Sequence, residues 1–148
     1  MKKDKTNSRE KGQSMVELAL SITVLLVLLA GVVDLGNMFF QYMAMRDAAQ
    51  EGASYASVYP GSCSNIEARV RADLNNPDPA DVQIQILVDG VDCASATAAN
   101  ACSPKDVKVT VNQPSYELMM PLIGSFVGSQ TINLKASIVN TILSPSCH

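Results

Sequence analysis

The sequence contains no tryptophan and a single histidine, so the side chains that many catalytic and metal sites use are scarce. The histidine, His148, is the last residue, and neither a histidine-dependent triad nor a histidine metal cluster is expected in a folded site. Neither a P-loop nor a G-x-G-x-x-G loop occurs. Residues 75–81 are acidic but lack the ligand spacing of an EF-hand, and their two prolines predict a turn. We therefore expect no enzymatic activity, no metal and no cofactor.

Basic residues are also scarce outside the N-terminus. The formal net charge of the 148 residues is −3, yet residues 1–12 hold five of the eleven Lys and Arg. The remaining chain has no evident basic face, which weighs against a nucleic-acid partner. A hydrophobic content of 47% excludes a disordered chain, and the length suits one modest domain.

Charged residues are absent from residues 18–33, LALSITVLLVLLAGVV, and this run predicts a transmembrane helix. Counted from Gln13, the stretch to Val33 is about 31 Å long at the helical rise, which matches the hydrocarbon core of a bilayer. Residues 1–12 form a basic leader, whereas residues 34–45 contain no base. The positive-inside bias then predicts a single pass through the inner (cytoplasmic) membrane, with the leader cytoplasmic and the C-terminal domain extracytoplasmic.

Proline is absent from the first 59 residues, and apolar residues continue at helical spacing beyond Val33. This pattern predicts one helix over residues 13–57, in which 13–33 is the transmembrane part and 34–59 is a soluble, amphipathic continuation. We interpret Asp34 as the polar end of the span. A secretory signal peptide would have an A-x-A-type site after the apolar core, which the only nearby candidate, Ala30-Gly31, does not match. We therefore expect a retained anchor.

Residues 60–148 are expected to form an exported α+β domain. The pattern predicts a short helix over residues 64–75 and three strands around 82–88, 107–111 and 132–138, where apolar and polar residues alternate. The predicted fold class is thus α+β, with a long N-terminal transmembrane and amphipathic helix packed on a small antiparallel sheet of three or four strands. Residues 116–128 are apolar but broken by Pro121 and two glycines. They form either a loop or a short helix on the sheet edge or membrane surface, or a subunit interface that uses Met119, Met120 and Phe126.

The four cysteines all lie beyond the predicted span, and none of them forms a C-x-x-C motif. A zinc site is not expected from this spacing, and two disulfides are expected in an exported domain. Of the three possible connectivities we favour Cys93–Cys102, which closes the loop between the first two predicted strands. The remaining pair is then Cys63–Cys147.

Three short elements of the helix carry a resemblance to a known family. Gly12 is followed five residues later by Glu17; Asp34 and Gly36 follow the apolar run; and an A-x-x-G-A-x-x-A element comprises Ala49, Gly52, Ala53 and Ala56. Over residues 11–57 the sequence resembles the TadE-like minor pseudopilins of tight-adherence pilus systems, and the pattern at Gly12 resembles a class III signal. Family members often have Tyr or Phe after the Glu, where this chain has Leu18. The residues alone leave open whether Gly36, Gly52 and Ala53 permit close helix packing or are tolerated flexibility.

The resemblance implies a structural subunit of a pilus or secretion machine, with a pilin-like fold. A prepilin peptidase would cut between Gly12 and Gln13, and Glu17 would meet the freed amine of a neighbouring subunit during assembly. Its other implied partners are pilin-like subunits, which would pack against its N-terminal helix, and an inner-membrane assembly platform, besides membrane lipid. Two alternatives remain open: Glu17 reaches the headgroups at a helix start, or the protein is an uncleaved single-pass protein whose outer domain is an adhesin or sensor.

Overall fold

One long helix, α1, spans Asn7–Val58 without a break. The computed structural model describes residues 7–74, 81–119, 124, 128–143 and 146, with side chains from Gly12 onward. The 52 residues of α1 measure about 78 Å at the α-helical rise. The helix ends just before Pro60, as its sequence predicts, and it begins six residues before the predicted start at Gln13. The prediction of one continuous helix through this stretch is therefore confirmed.

The remaining elements form a small α+β domain around the C-terminal half of α1. In chain order they are α2 (Cys63–Asp73), β1 (Gln83–Val88), β2 (Val91–Asp92), a 3₁₀ turn (Cys93–Ser95), β3 (Asp106–Glu117) and β4 (Thr131–Thr141). The strands form an antiparallel sheet in the order β2-β1-β3-β4. The predicted fold class is confirmed, and β1, β3 and β4 coincide with the three alternating stretches of the sequence.

The short strand β2 was not predicted, although the sequence carries its signal. Asp89 and Gly90 connect β1 to β2 with φ angles of 53° and 77°. Two consecutive residues in the left-handed region are the requirement of a tight hairpin turn, for which Asp-Gly is a favoured pair. The Lys105 ammonium group, 2.6 Å from the Asp89 carboxylate, lowers the pKa of Asp89 below its ordinary value, with help from the Asn100 amide. The turn is thereby tied to the segment that leads into β3.

The C-terminal half of α1 packs on one face of the sheet. The α1 side chains on this face are small apart from one methionine, and all are fully buried: Met45, Ala48, Ala49, Ala53 and Ala56. Their counterparts are Val107, Val109 and Val111 of β3 and, on β4, Leu134 and Ala136. The same helix that carries the apolar run therefore forms one wall of the domain's hydrophobic core.

The second helix, α2, crosses α1 at Gly52. A Cβ atom at Gly52 would clash with Cγ2 of Val70, because it would lie closer than two non-bonded carbon atoms can approach. Ile66 and Val70 of α2 are fully buried against this part of α1. Close packing is therefore the role of Gly52, whereas Gly36 has no neighbouring atom within 4 Å of an added Cβ.

Several predicted features fall wholly or partly outside the described residues. These are the 1–6 part of the basic leader, residues 75–80 of the predicted turn, and Met120 and Phe126 of the apolar segment. Met119 of that segment is described, and its side chain is 82% exposed.

We predict that Gly52→Ala destabilises the domain by about 1–3 kcal/mol, the usual penalty of overpacking. Gly36→Ala is the matched control, since it adds the same methyl group to the same helix in open space; it should leave stability unchanged or raise it by up to about 1 kcal/mol. Thermal and denaturant unfolding of the full chain in detergent measures both. In the combined variant Gly52→Ala with Val70→Ala, the second substitution removes the atom that the added methyl group would meet. The double variant should therefore lose less free energy of unfolding than the sum of the two single variants. Equal effects of the two glycine substitutions would contradict the close-packing role.

Candidate functional site

Within the described part of the chain, the N-terminal half of α1 is not covered by protein. Thirteen large apolar side chains between Met15 and Val33 are exposed, including Leu25 at 56% and Leu28 at 63%. Among the described residues, one helix is long and apolar enough to cross a membrane, and none of the residues in its apolar part is buried. Such a surface requires a cover of lipid or of other apolar helices.

The few polar side chains within the apolar run satisfy their hydrogen bonds locally. The Ser21 and Thr23 hydroxyls each donate, at 2.8 Å, to the backbone carbonyl four residues earlier, that of Glu17 or Ala19. A hydroxyl that is bonded in this way leaves no unpaired donor in a hydrocarbon environment. The apolar run is therefore chemically consistent with burial in lipid despite its serine and threonine.

The predicted cleavage and assembly residues lie together at the start of this surface. The Gln13 amide donates to Oε1 of Glu17 at 3.3 Å, one helical turn away, and both side chains are exposed. Gly12 lies within the helix, and an added Cβ would have no atom within 4 Å. Glycine weakens a helix by about 1 kcal/mol relative to alanine, so Gly12 lowers the helix stability of the first turns of α1.

Asp34 is more than the polar end of the span. It is 5% exposed, and its carboxylate accepts a hydrogen bond of 3.2 Å from the backbone N–H of Met119. Burial, and then the negative charge of Asp34, raises the pKa of Tyr116 above its ordinary value. Asp34 therefore fixes the far end of β3 to α1 at the boundary of the apolar run. The sequence signal for this role is an acid that stands alone among uncharged residues from 18 to 45.

A second polar contact lies two turns further along the same helix face. The Gln41 amide donates to Oε1 of Gln113 at 3.2 Å. Gln113 is 7% exposed and lies where the β3–β4 register shifts, next to Pro114, as is usual for a proline within a sheet. Polar contacts hold the helix to the sheet near the span, and small apolar residues do so further away.

The predicted cysteine connectivity is wrong. The structure joins Cys63, the first residue of α2, to Cys93 after β2, with the two Cα atoms 5.9 Å apart. The predicted pairs Cys93–Cys102 and Cys63–Cys147 are therefore both excluded. The prediction favoured Cys102 as the partner of Cys93 because the two are close in sequence and close a short loop. In the structure, the turn after α1 brings Cys63 beside the end of the β1–β2 hairpin, and Cys63 is the partner instead. Cys102 is also disulfide-bonded.

The described residues contain no group of three or more His, Cys, Asp or Glu side chains that could hold a metal ion.

The fold and the bare helix fit a single-pass membrane protein that carries an α+β domain on its anchor. The family model described as TadE-like protein matches residues 12–54, somewhat under a third of the chain, and confirms the resemblance over that stretch. This family is pilus-related and structural in character. No curated protein and no solved structure matches the chain. The match starts at Gly12 and includes Glu17, Asp34 and Gly52. It therefore covers the residues of α1 whose contacts are described above.

We predict that non-reducing peptide mapping will recover a Cys63–Cys93 peptide. Cys147 is the one cysteine left for Cys102, and Ser103 and Ser146, which adjoin them, form a parallel bridge. A Cys102–Cys147 peptide is therefore expected as well. Recovery of a Cys93–Cys102 peptide would contradict this connectivity.

We also predict that Asp34→Ala weakens the attachment of the β3 end to α1. The part-buried Met119 amide loses its carboxylate acceptor, and a hydrogen bond to a charged group typically contributes about 1.5–3 kcal/mol. Hydrogen exchange of that amide should accelerate, while exchange of the Val109 amide in mid-sheet stays slow. Asp34→Asn is the matched control because its side-chain carbonyl can still accept. Unchanged exchange at Met119 in the alanine variant would contradict the anchoring role.

Proposed function

We propose that the protein is a membrane-anchored, pseudopilin-like subunit that takes part in the assembly of a pilus or secretion machine. It is inserted in the inner membrane with its N-terminus in the cytoplasm. A prepilin-type peptidase removes the leader by cutting between Gly12 and Gln13. The subunit then acts by helix packing and has no catalytic role.

The continuity of α1 is the observation that carries this proposal. The exposed apolar segment and the segment that packs in the domain core belong to one helix, Asn7–Val58. The anchor and the domain therefore move together when the anchor is displaced. Lipid tails and apolar helices are similar solvents for the exposed leucines and valines. Exchange of lipid for neighbouring subunits is therefore close to neutral in hydrophobic free energy, and specific polar pairs decide the geometry.

Gln13 and Glu17 supply such a pair. Cleavage before Gln13 creates a free amine on the residue whose side chain already contacts Glu17. A carboxylate in hydrocarbon is unfavourable alone, and an ammonium group of a neighbouring subunit compensates it. An acid near the start of the mature helix also suits the helix dipole.

The disulfides support the proposed orientation. The Cys63–Cys93 bond lies in the domain beyond the span, and disulfides persist in oxidising compartments such as the bacterial periplasm. This matches a leader whose positive charges remain in the cytoplasm.

Mass spectrometry of the mature N-terminus tests the cleavage step. We expect a chain that begins at Gln13. Gly12→Leu should remain uncut, because a large side chain replaces the glycine at the scissile bond. A folding defect is not expected, since the position has room for a side chain. Gly31→Ala is the control, because it alters the only signal-peptidase candidate and should leave processing unchanged. An intact Met1, or cleavage near Ala30, would contradict the proposal and favour an uncleaved adhesin or sensor in the first case.

Substitution of Glu17 tests the assembly step. Glu17→Ala should be inserted and cleaved normally but lost from the sheared or cross-linked high-mass fraction, and Glu17→Asp should retain part of the assembly. Asp47→Ala removes an exposed acid from the soluble part of the same helix and serves as the matched control. Normal assembly of Glu17→Ala would leave Glu17 with a headgroup-contacting role only.

A further inference from the structure

Exposed apolar side chains continue past the end of the apolar run, where the domain begins. Leu35, Phe39 and Phe40 are 57%, 62% and 80% exposed. At about 100° per residue, both phenylalanines point away from the helix face that packs on the sheet. One turn further along α1 the sequence has Tyr42, which is 39% exposed, and two turns further, on the same side as the phenylalanines, the exposed residues are the charged Arg46 and Asp47. The apolar band therefore ends within two helical turns of the phenylalanines.

The domain contributes a fourth exposed apolar residue at the same level. Met119 is 82% exposed, and its backbone N–H is bound to the Asp34 carboxylate. That hydrogen bond fixes Met119 beside the first residue after the apolar run, on the side of α1 that the domain occupies. The band thus has members on both sides of the helix.

The height of this band along the helix matches the headgroup layer. Residues 13–33 fill a hydrocarbon core of about 30 Å, and each headgroup layer adds about 5–8 Å. Leu35 to Phe40 lie about 3–10 Å beyond Val33 at the helical rise, and no charged residue occurs between Leu35 and Met45. Apolar and aromatic side chains without charge are suited to this zone.

We propose that Leu35, Phe39, Phe40 and Met119 form a membrane-proximal collar that lies in the headgroup layer of the outer leaflet. Its partner is the lipid surface itself, and the collar seats the domain on that surface while α1 spans the bilayer. The proposal rests on membrane insertion of α1 and is independent of cleavage and assembly. The collar is continuous with the exposed apolar surface of the span, and in this proposal lipid covers both.

The absence of tryptophan makes a direct test possible, because each introduced tryptophan is the only one in the chain. Full-length Phe40→Trp and Met119→Trp would be reconstituted at low protein density in phosphatidylcholine vesicles. The vesicles would carry lipids brominated either near the headgroup or deep in the acyl chain. Val24→Trp in mid-span and Tyr59→Trp at the far end of α1 are the controls, and both positions are exposed. The helix content of each variant is checked by circular dichroism.

We expect Phe40→Trp and Met119→Trp to emit at shorter wavelength than Tyr59→Trp and to lose most of their emission with shallow bromines. Val24→Trp should be quenched most by deep bromines, and Tyr59→Trp should not be quenched. Unquenched collar residues beside a quenched Val24→Trp would overturn the collar while leaving the span intact. A blue shift without quenching would identify a second protein copy as the cover and also overturn it. An unquenched Val24→Trp would overturn both the membrane insertion and the collar. If the quenching is as expected but the protein is found uncut or unassembled, the proposed function is contradicted and the collar stands.

Discussion

A single helix in this protein has to satisfy two different environments along its length. Its first half presents apolar side chains on all sides, as lipid or other helices require, while its second half presents one narrow face of small residues to a sheet. Because no proline or turn separates the halves, the register of one fixes the rotation of the other. The sheet and the second helix pack against the C-terminal part of α1, and the Cys63–Cys93 bond joins the second helix to the end of the β1–β2 hairpin.

The transition between the two environments depends on a few residues along one helix face. Asp34 binds the backbone at the end of β3, Gln41 binds Gln113 at the bulge, and Gly52 admits Val70 at the crossing with α2. Polar contacts lie nearest the span and close packing lies furthest from it. The collar that we infer would complete this junction from outside, because it gives the base of the domain a lipid contact.

Much of this architecture follows from the sequence. Helix continuity was predictable because proline is absent before Pro60, and the strands were predictable because valine and isoleucine alternate with polar residues. The isolated acid marked Asp34 as unusual, but its backbone partner and the Cys63–Cys93 pairing were not predictable, since both depend on which distant segments the fold brings together. Gly52 matched a family element, but only the crossing with Val70 shows why a side chain does not fit there.

The most direct test of the continuous helix is a distance measurement across the junction in a bilayer. Spin labels on unnatural residues at Leu20 and Gln50, both exposed, leave the disulfides intact. Thirty residues of unbroken α-helix predict a narrow distance distribution centred at about 45 Å. A broad or much shorter distribution would show that a hinge joins the anchor to the domain, and it would contradict the rigid coupling of the two halves of α1.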